Sequence, residues 1–221
     1  MTKKAAWSFS ALNSFETCPH RHYRTRVLKD VRDDQSEALL WGNEVHKALE
    51  LRIKDDKPLP TTMEKWEPIA AKLLARKGES IAEQKLCLNE SLSPTSWFAK
   101  DAWCRGVVDY MLVDGKKAVA LDWKTGKPKD DHEQLMLFAA LLFHHYPELE
   151  VIRTGYVWLA HGSKITSKEF TRADVPQIWE EFLPRVKRLQ QAVDADKWPK
   201  KPSGLCRAWC PVLDCEFNGR S

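Results

Sequence analysis

Apolar positions along the chain change their spacing twice. Near the N-terminus Leu12 and Phe15 lie about one helical turn apart, and Ser10 can cap the short helix ALNSFETC, which ends near Cys18-Pro19. A second helix is expected over 39–53, LLWGNEVHKALELRI, broken by DDKPLP. A third covers 64–77 and stops at Gly78. From about residue 81 alternation replaces the helical period. IAEQKLCL, WCRGVVDYMLV and KAVALDWK read as three strands, the last two joined by a turn at Asp114-Gly115. HEQLMLFAALLFHHY is apolar on most sides and predicts a buried helix, and VIRTGYVWLA and KITSKEF add two strands. Asp174 and Pro176 open a long helix to about Asp196, expected to bend at Pro184. Helices, a strand meander, a helix, strands and a helix make an α/β (α+β) chain with a central mixed sheet flanked by helices.

The strand ALDWK sets Asp122 and Lys124 two positions apart, so both point to one face while Leu121 and Trp123 take the other. If Asp114-Gly115 is a two-residue loop, Asp109 pairs with Ala120, and Asp109, Asp122 and Lys124 share that face. Taken alone, two acids and a lysine at a strand end are an ordinary surface ion pair.

Composition narrows the class. The 221 residues suit one domain, expected as a core of about 39–170 with an appendage made from 10–30 and 198–217. With 43% hydrophobic and 30% charged residues and no apolar run near ~18 residues, no membrane span is expected. The N-terminus has no apolar signal region, so a cytoplasmic, reducing location is expected, where grouped cysteines are metal ligands or redox groups more often than disulfides. The net charge of +4 does not by itself argue for nucleic acid. Its distribution is more telling: Arg21, Arg24, Arg26 and Lys29 interleave with His20, His22 and Tyr23, a pattern that can follow a phosphate backbone, with Tyr23 free to stack, or form a solvated helix face. No G-x-x-x-x-G-K-[ST] loop occurs, so the sequence carries no ATP-motor motif.

Several segments together resemble a known family. G-V-V-D-Y (106–110) followed by L-D-W-K-T-G (121–126) resembles the core of the PD-(D/E)XK nucleases, and more narrowly the RecB-like branch that includes the CRISPR-associated exonucleases and the RecB/AddB nuclease domain. S-x-L-N-S-F-x-x-C-P-x-x-x-Y (10–23), G-N-E-V-H (42–46), Q-L-M-L-F (134–138) and the terminal cysteines match the same branch in order. The resemblance implies that Asp109 and Asp122 hold Mg or Mn, with His46 and the Trp123 backbone carbonyl completing the shell. Lys124 would orient or help deprotonate the attacking water, and Gln134 would position DNA or the lysine. Such roles suit phosphodiester hydrolysis, which needs a nucleophile beside a polyanion and stabilisation of developing charge. On spacing alone His46 is more often a packed helix histidine than a ligand. Glu83 is a weaker acid candidate, because an exposed strand glutamate is the commoner case. Phe138 stands where the branch commonly has tyrosine.

Cys206, Cys210 and Cys215 are too closely spaced to be accidental, yet three thiolates do not complete a tetrahedral site. The resemblance supplies Cys18 as the fourth ligand of a 4Fe-4S cluster joining the chain ends. The branch's middle cysteine usually falls one place earlier, which leaves structural zinc as the alternative. His20 and His22 are weaker candidates. Cys87 and Cys104, alone in apolar strands, read as core. Together these imply a metal-dependent DNA exonuclease acting on single-stranded or end-bearing duplex DNA in recombination, repair or end processing, in a bacterial cell or phage-infected host, beside a separately encoded helicase or recombination protein. Arg21, Tyr23 and Arg24 are its expected DNA contacts. The alternatives from other classes are a non-catalytic, cysteine-stapled nucleic-acid-binding protein and a zinc-stabilised interaction module.

Overall fold

In a computed structural model of the chain, residues 6–32 and 36–220 are described. They form two compact units, one built from the described residues of both chain ends and one from the middle (37–180).

The terminal unit begins with a two-residue strand β1 (Trp7–Ser8) and α1 (Phe9–Thr17). The cap is Ser8, not Ser10: its hydroxyl accepts the Ala11 N–H at 3.3 Å. Leu12 and Phe15 are buried, as their spacing predicts. The chain then turns through α2 (Pro19–His22) into a π-helical turn, Tyr23–Leu28, a wide turn that side-chain periodicity does not announce. Arg185 holds Glu16 in a two-pronged ion pair at 2.7 and 2.9 Å, and Trp198 stacks on both Tyr23 (5.1 Å, 20°) and His22 (6.0 Å, 24°). Burial, with Arg26 adding to it, lowers the His22 pKa to about 4, so this ring packs as a neutral aromatic.

The central unit opens with α3 (Glu37–Asp55), a 3₁₀ turn (Thr61–Trp66) and α4 (Glu67–Leu74). Five strands follow: β2 (Glu79–Leu88), β3 (Cys104–Asp114), β4 (Lys117–Lys124), β5 (Val151–Trp158) and β6 (Lys164–Thr171), with α5 (Glu133–His145) between β4 and β5. They pair in the order β2-β3-β4-β5-β6. Every pairing is antiparallel except β4 with β5, whose parallel crossover needs α5. α6 (Val175–Ala195) contains Pro184, and a 3₁₀ turn at Gly204–Arg207 follows it. The sheet is mixed and flanked by helices, as its pattern predicts.

Tyr110, Leu112, Leu121 and Trp123 pack with Val45 and Leu49 of α3 and Leu73 of α4 on one face. On the other, α5 approaches so closely that a Cβ added at Gly106 would lie 2.6 Å from Leu141 Cδ1. Gly106 and Tyr110 have the same strand parity yet meet helices on different faces, so the pleat of β3 is interrupted between them. The β2–β3 ladder omits one pair in its middle, Glu83 with Asp109, and Glu83 has φ +53°, a left-handed conformation unusual for a non-glycine residue in a strand.

Candidate active site

The hairpin sets the acids. Its loop is Gly115–Lys116, one residue later than the sequence suggests, so Asp114 pairs with Lys117 and counting places Asp109 opposite Asp122 rather than Ala120. The register changes by two, so face parity survives, and Asp109 and Asp122 do meet. Asp109 is 7% exposed and accepts the Trp123 N–H on Oδ2 at 2.8 Å.

Asp122 is 4% exposed. Its Oδ1 accepts from Gln134 Nε2 at 2.9 Å, and its Oδ2 lies 2.6 Å from Lys124 Nζ. The Lys124 ammonium therefore lies directly against this buried oxygen and offsets part of its charge. Burial first, then the Asp109 charge, pushes the Asp122 pKa up to about 6 against the opposing pull of Lys124. Gln134, on the first turn of α5, also accepts from Lys124 Nζ at 3.0 Å. One amide therefore fixes both the carboxylate and the ammonium.

His46 stands on α3 beside the buried Val45 and Leu49, so the packed face of the helix aims its ring at the sheet. Its Nε2–H donates to the Trp123 carbonyl at 2.9 Å, and Nδ1 is 3.2 Å from Asp109 Oδ2. Burial lowers its pKa, but Asp109, Asp122 and the Trp123 carbonyl together outweigh this and raise it. Protonated His46 can donate to both oxygens, so a proton-bearing ring bridges groups that a cation could hold. Glu83 completes a cluster: ligand atoms of His46, Glu83 and Asp109 lie within 4.8 Å of one another. Burial, then the Asp109 and Glu50 carboxylates, raises the Glu83 pKa.

Oxygen-rich ligands with one imidazole suit Mg or Mn, and ligand atoms of His46, Glu83 and Asp109 already converge beside Asp122, so the residues fit such an ion. One contributor escapes sequence reading. Tyr156 sits opposite Asp122 across the parallel ladder with its ring 5.0 Å from Lys124 Nζ, and burial with the Asp122 charge raises its pKa. Nothing in VIRTGYVWLA marks it, because its partner is set by the crossover.

In the terminal unit Cys18, Cys206, Cys210 and Cys215 line one small cavity with His20, Arg21, Lys200 and Lys201. None of the six cysteines is in a disulfide, and Cys87 and Cys104 are buried strand residues as expected. His22 instead stacks on Trp198 and meets the Phe15 ring edge-on. Arg24 bonds Asp30 and Asp214 at 2.8 and 2.9 Å, and Tyr23 is stacked on Trp198, so both help hold the terminal unit together.

A mixed sheet with a buried carboxylate pair, a lysine and an imidazole is the framework of a restriction-endonuclease-like nuclease. The sequence model of the PD-(D/E)XK nuclease superfamily matches residues 6–215, and the chain belongs to that superfamily. No curated protein matches the sequence. Two solved structures share the fold. One is SSO0001, with 13% identity, TM-score 0.52, and coverage of 99% of this chain and 89% of that one. The other, provisionally described as an exonuclease from Eubacterium rectale, has 12% identity, TM-score 0.51, and coverage of 90% and 91%.

Proposed function

We propose that this nuclease is a metal-dependent deoxyribonuclease of the RecB-like branch, removing nucleotides from single-stranded or frayed DNA ends. The observation that carries the reading is the buried pair Asp109 and Asp122, with Gln134 fixing one Asp122 oxygen and the Lys124 ammonium 2.6 Å from the other. Asp109, Asp122, His46 and the Trp123 carbonyl would hold a Mg or Mn ion, which supplies Lewis-acid activation of water and phosphate when bound. Lys124, tethered by Gln134, presents a cation to charge developing on the phosphate and a hydrogen bond to the attacking water. The Tyr156 ring beneath Lys124 restricts where the ammonium can swing. A helicase would suit it as the source of frayed ends, in recombination, repair or end processing.

We further propose that Cys18, Cys206, Cys210 and Cys215 hold a 4Fe-4S cluster. Four thiols on one cavity support this reading. Iron and sulfide assays on anaerobically purified protein decide it; stoichiometric zinc without iron overturns it in favour of a zinc staple.

End-labelled single- and double-stranded DNA, incubated with wild type, Asp122→Ala and Lys124→Ala in Mn, Mg or EDTA, tests the nuclease reading. Degradation by wild type alone, abolished by EDTA, is expected. Equal inactivity of all three beside salt-dependent binding would instead favour a non-catalytic nucleic-acid-binding protein.

A further inference from the structure

The loop between β2 and β3, residues 89–103, presents aromatic and basic side chains that the active site does not use. It is tightly held. Asn89 Oδ1 accepts the N–H groups of Ser91 and Ser93, and Asp101 accepts from Thr95 and Asn89, turning its carboxylate into the loop. The Thr95 and Trp103 N–H groups return to Cys87 and Leu88 carbonyls at 2.9 Å. Two successive turns, Ala99 N–H to Ser96 O and Ala102 N–H to Ala99 O, carry the tip. There Phe98 is 88% exposed. A large aromatic held in water by an ordered turn would lose little conformational freedom on binding.

Beside it, Lys85 Nζ and Arg105 Cζ lie 5.8 and 5.5 Å from the centre of the Trp97 ring. Arg105 Nε is buried without a hydrogen-bond partner. Among the described residues none of Lys85, Lys100 and Arg105 forms an ion pair with a carboxylate, whereas Arg24, Arg52, Arg153 and Arg185 all do. Lys85 is two residues past Glu83 on β2, and Arg105 four before Asp109 on β3, so at ~3.3 Å per residue these cations begin about 7 Å along the strands from the carboxylates.

We propose that Lys85, Arg105 and Phe98 form a landing surface for single-stranded DNA, the cations holding backbone phosphates and Phe98 stacking on an unpaired base. This deepens the nuclease reading and rests on it for the choice of DNA. Cations interleaved with an exposed aromatic are the combination that binds single strands without sequence preference. Phe98 would favour single strands over blunt duplex, because bases inside a duplex have no free face.

The test is fluorescence anisotropy with a labelled oligothymidylate and a blunt duplex in EDTA, so binding is read without cleavage and independently of the nuclease assay. Phe98→Ala is expected to weaken oligothymidylate binding about tenfold and duplex binding much less. The double variant Lys85→Ala, Arg105→Ala should make the slope of log affinity against log salt shallower by about 1.4. Unchanged oligothymidylate affinity in Phe98→Ala, or equal losses on both DNAs, overturns the proposal. So does wild type that binds neither DNA, or a wild-type self-association that Phe98→Ala abolishes with DNA binding intact.

Discussion

Asp122 shows how a site residue works against the fold. Its folded pKa of about 6 lies above the usual carboxylate value of 3.8, so the native state holds a proton that the unfolded chain has already lost. The sign follows: the contribution to stability is present below about pH 4 and is lost as pH rises towards 6. Asp122→Asn should therefore raise the Tm of the metal-free protein at pH 8 and flatten its pH dependence between 4 and 6, while abolishing Mn binding by calorimetry. In the wild type, protons on His46 and then Asp122 compete with the ion, so Mn affinity should already fall as pH drops to about 6.5 and fall more steeply below about pH 6. Glu83 makes the parallel case. A left-handed glutamate costs about 1–2 kcal/mol, and Glu83→Gly relieves that strain together with repulsion from Asp109. The variant should unfold at a higher denaturant midpoint yet bind Mn more weakly. A lower midpoint would mean the conformation is not strained.

At the scale of elements, alternation and helical period reach the structure wherever one face of an element is buried. KAVALDWK is β4 residue for residue, and the apolar helix before Tyr146 is α5 to within one residue at each end. What escapes is set by partners distant in sequence. The hairpin loop falls one residue later because β3 keeps Asp114 paired with Lys117. Glu83 reads as an ordinary strand glutamate, since its conformation answers to Asp109 and His46 and not to its neighbours in sequence. The resemblance of their motifs pointed to His46, Asp109, Asp122, Lys124 and Gln134, which the structure brings together; nothing pointed to Tyr156, because parallel pairing across α5 puts it beside Lys124. Gly106, in the GVVDY segment, has a packing reason: its missing Cβ admits Leu141. Gly106→Val should cost about 1–3 kcal/mol in urea unfolding by pushing α5 off β3. Because α5 carries Gln134, cleavage should fall even at temperatures where the variant remains folded.

On the scale of the whole molecule, the two ends of the sequence make one unit, and its cohesion is assembled from separate small devices. Glu16 is gripped by Arg185, Trp198 lies on Tyr23 and His22, Arg24 reaches Asp214, and four thiols share a cavity. A metal centre bridging Cys18 to the terminal trio would close a loop of nearly the whole chain, and closure penalties grow only slowly with length, so one such link removes much unfolded-state freedom. Losing the link therefore concerns the ends first. Cys210→Ala, or chelation of the bound metal, should raise amide exchange across 9–28 and 204–218 at least tenfold while β3 and β4 keep their protection. Uniformly faster exchange throughout the chain would show that the centre supports the entire fold, and unchanged exchange that the thiols hold no structural metal.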